Sequence, residues 1–118
     1  METTETAEKT IWLNYDLGVG GDFQGLYSWF DDHKAIECGN NTAYLKYIFP
    51  DTIKTDQDFT QRLVQDLPEK VQFTPANRVY IVRKSLTTDK TIGTFIIGKR
   101  KANSWEGFGS KTDNTIDE

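Results

Sequence analysis

Apolar and polar positions alternate from residue 11 to 17. Ile11, Leu13, Tyr15 and Leu17 fall on one face, and Trp12, Asn14 and Asp16 on the other. That period of two predicts a half-buried strand. Gly18, Gly20 and Gly21 then break the strand and supply backbone freedom for a turn. Asp22 is placed to cap a helix, because its carboxylate can accept from the first free N–H groups. Phe23, Leu26, Tyr27 and Phe30 follow at helical spacing, with Trp29 off that stripe. This helix is expected to end within residues 31–34.

Residues 35–49 predict a second stretch of strand, interrupted at Gly39-Asn40-Asn41. Beyond the break, Ala43, Leu45, Tyr47 and Phe49 alternate with Tyr44, Lys46 and Ile48. Thr55 with Asp58 three residues on is a variant capping box. Phe59, Leu63 and Leu67, widened by Val64, give the second helix its stripe, and Pro68 should stop it close to Leu67. Residues 69–77 connect, with Val71 and Phe73 directed inward. Residues 78–84 (RVYIVRK) form an apolar run with charged ends, typical of a central strand. Residues 85–90 are a polar loop and 91–98 the last strand. Residues 102–109 (ANSWEGFG) read as an aromatic flap or a loop returning to the core.

The order predicts an α+β, ferredoxin-like domain over residues 10–109: an antiparallel sheet of four to five strands with two helices on one face. In the favoured layout a hairpin at Asn40-Asn41 joins strands two and three. The run 78–84 is then the parallel partner of the first strand, and 91–98 is an added fifth. Residues 1–9 and 110–118 are expected to be disordered tails.

Composition narrows the class. The 118 residues suffice for one domain, and 36% apolar with 13% aromatic residues can build a core without staples. The single cysteine, Cys38, cannot form an internal disulfide, which suits a reducing, cytoplasmic setting. No apolar run suggests a leader or a membrane span. The net charge of −4 is unevenly spread. Residues 1–77 carry 6 Lys/Arg against 13 Asp/Glu, whereas 78–105 carry 7 against Asp89 alone. A local basic segment on an acidic chain can attract a polyanion. Lysines that keep strand edges from aggregating would look the same.

Several motifs fail on inspection. A dinucleotide fingerprint from Gly18 would need glycine where Phe23 stands. A phosphate loop from Gly20 reaches Gly25 but then has Leu26 and Tyr27 in place of Lys and Ser/Thr. No nucleotide cofactor is therefore expected. His33 and Cys38 are too few for a zinc site. His33 reads as a helix-end residue, and Cys38 as a buried strand cysteine rather than a nucleophile. Asp16 ends the first strand, where it could hold a magnesium ion as a catalytic carboxylate or bond the N–H groups of the glycine turn. The stretch GKRKANSWEGFG sets Lys99, Arg100 and Lys101 beside Trp105. With Arg83 and Lys84 these suit phosphate and base contacts.

The run Tyr15-Asp16-Leu17, then Leu26-Tyr27, then residues 42–47 resembles small ferredoxin-like proteins of the CRISPR-associated protein 2 and virulence-associated protein D type, over roughly residues 10–84. The resemblance implies the same fold and a dimer. It also implies a metal-dependent nuclease role for Asp16, or a structural, nucleic-acid-binding role without cleavage. Residues 98–109 run past that family's expected end. The chain is therefore expected to be a small binding or adaptor protein, homodimeric, with nucleic acid as its best-suited partner and no membrane partner. The alternatives are a magnesium-dependent nuclease and a protein-interaction module. Trp12 on the uncovered face is more apolar than solvent requires, which favours assembly.

Overall fold

The structure, a computed structural model, describes residues 5–109. The elements run β1 (Thr6–Asp16), α1 (Phe23–Asp32), β2 (Ile36–Glu37), β3 (Thr42–Pro50), α2 (Asp56–Asp66), a 3-10 turn (Leu67–Glu69), β4 (Arg78–Lys84) and β5 (Thr91–Ile97). The strands form one antiparallel sheet in the order β2-β3-β1-β4-β5. Both helices pack on one face. This is the ferredoxin-like α+β arrangement with β5 added at the β4 edge.

Local chemistry explains the elements. Asp22 accepts from the Gly25 N–H at 2.9 Å and so caps α1. It also accepts from the Gln72 N–H at 2.9 Å, which ties the helix start to the chain after α2. Those two bonds hold the Asp22 carboxyl below its ordinary range. Gly25 is required by close approach: a Cβ there would overlap the Asp22 carboxylate and the Lys70 carbonyl. Thr55 caps α2 by accepting from the Asp58 N–H at 3.1 Å. Gly39 and Asn41 adopt positive φ, and the Thr42 N–H meets the Gly39 carbonyl at 3.2 Å, closing the β2–β3 hairpin.

The core fills the space between sheet and helices. Ile11, Leu13, Ala43, Leu45, Tyr47, Phe49, Val79 and Ile81 point from the sheet to Leu26, Trp29, Phe30, Phe59 and Leu63 on the helices. Tyr47 keeps its hydroxyl satisfied by donating to Asp66 Oδ2 at 2.7 Å, and burial pushes its ionisation well up. His33, against Trp29 at 4.1 Å, is pushed down by burial. Buried Asn77 donates to the Leu17 carbonyl at 2.9 Å and accepts from the Thr74 N–H at 2.7 Å, pinning the glycine turn.

Five expectations are corrected. β4 lies antiparallel to β1, with Leu13 opposite Ile81, not parallel to it. β3 and β4 are joined by a helical crossover and flank β1, so they share a direction that opposes β1. Trp29 is fully buried and Tyr27 is half exposed, because the sheet lies toward the Leu26–Trp29–Phe30 side of α1. Residues 6–9 belong to β1, where Ala7 pairs with Phe49 and packs on the core; residues 1–4 and 110–118 lie outside the described residues. Trp105 and Phe108 do not return to the core and are 70% and 83% exposed. Cys38 is exposed, just beyond the two-residue β2.

Candidate nucleic-acid interface

The helices leave the other face of the sheet open. Alternation places Trp12, Asn14 and Asp16 of β1 there, with Tyr44 and Lys46 of β3, and Arg78, Tyr80, Val82 and Lys84 of β4. Register then builds tiers across the strands. Tyr44 lies opposite Trp12, which lies opposite Val82. Thr42, Asn14, Tyr80 and Phe95 form the next tier, and Asp16 with Arg78 the one beyond.

Two aromatic pairs stand on this face. Trp12 and Tyr44 stack with centroids 5.8 Å apart, and Trp12 is 45% exposed. Tyr80 and Phe95 meet edge to face at 4.8 Å. Tyr80 lies flat against β5 because Gly93 has no side chain; a Cβ there would strike the ring. Arg100 crosses above, 5.9 Å from the Tyr80 ring and 5.5 Å from Phe95. Arg78 is 5.9 Å from the Phe95 ring.

The residues expected to bind nucleic acid separate into two groups. Lys84 is exposed on the open face, and Lys99, Arg100 and Lys101 are exposed just past β5. Trp105 is exposed in a turn beyond them, where the Phe108 N–H meets the Trp105 carbonyl at 2.9 Å. Arg83 is different. It points into the core face, is 3% exposed, and ion-pairs with Asp56. Its guanidinium also lies 4.6 Å from the Phe59 ring and 3.4 Å from Thr60 Oγ1. Alternation with buried Val79 and Ile81 dictates this, since Arg83 shares their parity. Asp56 is the centre of a cluster: the Ser85 hydroxyl donates to it at 2.6 Å and the Leu86 N–H at 2.8 Å. Burial opposes the Asp56 charge, but the bonds from Ser85, Arg83 and Leu86 outweigh it and hold the carboxyl at about 2.

Asp16 is half exposed and accepts from Arg78 Nη2 at 3.1 Å rather than from the glycine turn. Its surroundings do not fit a resident magnesium ion. A guanidinium already engages one carboxylate oxygen, and among the described residues no group of three or more His, Cys, Asp or Glu side chains could hold a metal.

Tyr80, Phe95, Tyr44 and Arg78 were missing from the sequence-derived site. Each strand's alternation signals which face they occupy, but only the register brings them together. No helix among the described residues is long and apolar enough to cross a membrane. In comparison with known proteins, no family model, no curated protein and no solved structure matches the chain.

Proposed function

We propose that this chain is a small, non-enzymatic binding protein for single-stranded nucleic acid, held on the open face of its sheet. The observation that carries the reading is the two aromatic contacts on the open face, Trp12–Tyr44 and Tyr80–Phe95, with Trp12 exposed, the other three rings partly buried, and cations at their margins. Bases stack on such rings without regard to sequence, and basic side chains track the phosphates. Lys46, Lys84 and the run Lys99–Arg100–Lys101 supply that charge on a chain that is otherwise acidic. A duplex hides its base faces and would gain little from the rings. The nuclease reading gains nothing here, since Asp16 is paired with Arg78.

The test is fluorescence anisotropy of labelled single-stranded RNA, single-stranded DNA and duplex DNA, at low and moderate salt. Salt-sensitive binding to single strands, weakened by Trp12→Ala, supports the reading. Equal or tighter binding to duplex removes it.

A second reading concerns assembly. β2 covers only Ala43 and Tyr44, so most of the outer β3 edge is bare. Ile36 and Ile48 are 52% and 57% exposed beside it. We propose that two copies pair along this edge. Analytical ultracentrifugation of the wild type and Ile48→Lys tests this: a dimer converted to monomer supports it, and a wild-type monomer at high concentration refutes it.

A further inference from the structure

At the end of the open face, an open cleft of about 210 Å³ lies between the β1 and β4 strand ends. It is smaller than the roughly 300–1,000 Å³ of a site for a drug-sized ligand, which suits one base rather than a whole cofactor. Tyr80 and Phe95 form its apolar wall, Asn14, Asp16 and Arg78 the polar edge on the sheet, and the polar hairpin residues 40–42 close its far side.

The polar edge has a definite donor and acceptor pattern. Asp16 accepts only, and a carboxylate has about four acceptor sites, of which Arg78 takes one. Asn14 Oδ1 accepts from the Thr42 hydroxyl at 2.8 Å, which orients the amide and leaves Nδ2 as a donor with no partner among the described residues. Arg78 Nε is enclosed by protein, with no hydrogen-bond partner among the described residues, and so is not open to a ligand. The cleft therefore offers acceptors from a carboxylate beside a donor from an amide, with the guanidinium engaged behind the carboxylate.

We infer that this cleft is a guanine-selective base pocket within the single-strand site. The inference rests on the strand-binding reading and adds base selectivity to it. Guanine alone among the common bases presents two adjacent donors, N1–H and the N2 amino group, for one carboxylate, next to the O6 acceptor for Asn14 Nδ2. Adenine and cytosine place a ring-nitrogen lone pair beside their amino group, which a carboxylate repels. Uracil has a single N–H between two carbonyls. The Asp16–Arg78 pair then serves recognition: the guanidinium holds the carboxylate in position and balances its charge on a face that must accept phosphates.

The experiment compares anisotropy of labelled UUGUU, UUAUU, UUCUU and UUUUU with the full chain, with d(TTGTT) separating RNA from DNA. The guanine strand should bind roughly tenfold tighter than the other three, the usual scale of bidentate base discrimination. In Asp16→Asn, whose added amide hydrogens face the guanine donors, the ratio between UUGUU and UUAUU should fall to near one. Its amide spectrum shows whether the variant is folded. Equal binding of all four strands by the wild type overturns the guanine pocket and leaves strand binding standing. If no strand binds, the strand-binding reading falls, and NMR titration with guanosine and adenosine monophosphates judges the pocket alone. Shifts at Asn14 and Tyr80 with the guanine nucleotide only, lost in Asp16→Asn, keep it; no shifts, or the same shifts with both, overturn it.

Discussion

Replacing Arg83 with alanine should destabilise the fold rather than merely weaken binding. Arg83 is 3% exposed, and its guanidinium reaches the Asp56 carboxylate, Thr60 Oγ1 and the Lys84 carbonyl, with its Cζ over the Phe59 ring. Removing one member of a buried ion pair typically costs about 3–5 kcal/mol. Asp56 is 29% exposed and keeps its bonds from Ser85 and Leu86, so water and those donors relieve part of the stranded charge. Lost packing on Phe59 adds a further ~0.5–1 kcal/mol. The expected loss is about 2–4 kcal/mol. For a domain near this size each kcal/mol moves Tm by roughly 4–8 °C. Thermal and urea unfolding by circular dichroism should therefore show Tm lowered by about 8 °C or more. Lys84→Ala, one residue along and exposed, should stay within about 0.5 kcal/mol of wild type. An Arg83→Ala protein as stable as the Lys84 variant would refute the assignment of Arg83 to the core.

Three further outcomes follow from the same geometry. The Asp56 carboxyl is held at about 2, below its ordinary value near 4, so its bonds stabilise the fold above that unfolded value and are lost as pH falls toward the folded one. Urea midpoints should decline between about pH 4 and pH 2, and Asp56→Asn should flatten that decline while lowering stability at neutral pH. Gly25→Ala should cost about 1–3 kcal/mol through overlap with the Lys70 carbonyl, offset by the ~1 kcal/mol that alanine gains in a helix, and Tm reads the difference. Cys38 should react with a thiol reagent in the native protein at a rate near that of the unfolded chain, because it is exposed.

Much of the fold is legible in residue order because local rules agree with the tertiary arrangement. The alternation in β1, β3 and β4 and the caps Asp22 and Thr55 all survive folding. What pattern alone leaves open is which of two overlapping helical stripes meets the sheet. Phe23-Leu26-Tyr27-Phe30 and Leu26-Trp29-Phe30-His33 share two residues, and only the position of Tyr47 settles the choice, by stacking with Trp29 at 6.2 Å. The direction of β4 follows from the crossover through α2, a property of the connection rather than of RVYIVRK. For the site, a count of cations places Arg83 with Lys84, whereas parity with Val79 and Ile81 separates them. The aromatic tier depends on register, since Asn14 must lie opposite both Thr42 and Tyr80 for Tyr80 to flank the β1 strand end. Trp105 is an aromatic residue of the kind that covers a core edge, yet it is 70% exposed, and nothing in its neighbouring sequence signals that.

Binding of a single strand to the open sheet face can be read residue by residue. It is tested most directly by amide NMR of the labelled chain titrated with a short single-stranded oligonucleotide at two salt concentrations. Shifts are expected at Trp12, Tyr44, Tyr80 and Phe95 and along residues 98–101. Affinity should fall with salt at a slope of roughly −0.7 per phosphate contacted, about −2 if three cations engage. Trp12→Ala should cost about 1–3 kcal/mol of binding at unchanged fold. Shifts confined to the helical face, or none at low salt, would contradict it.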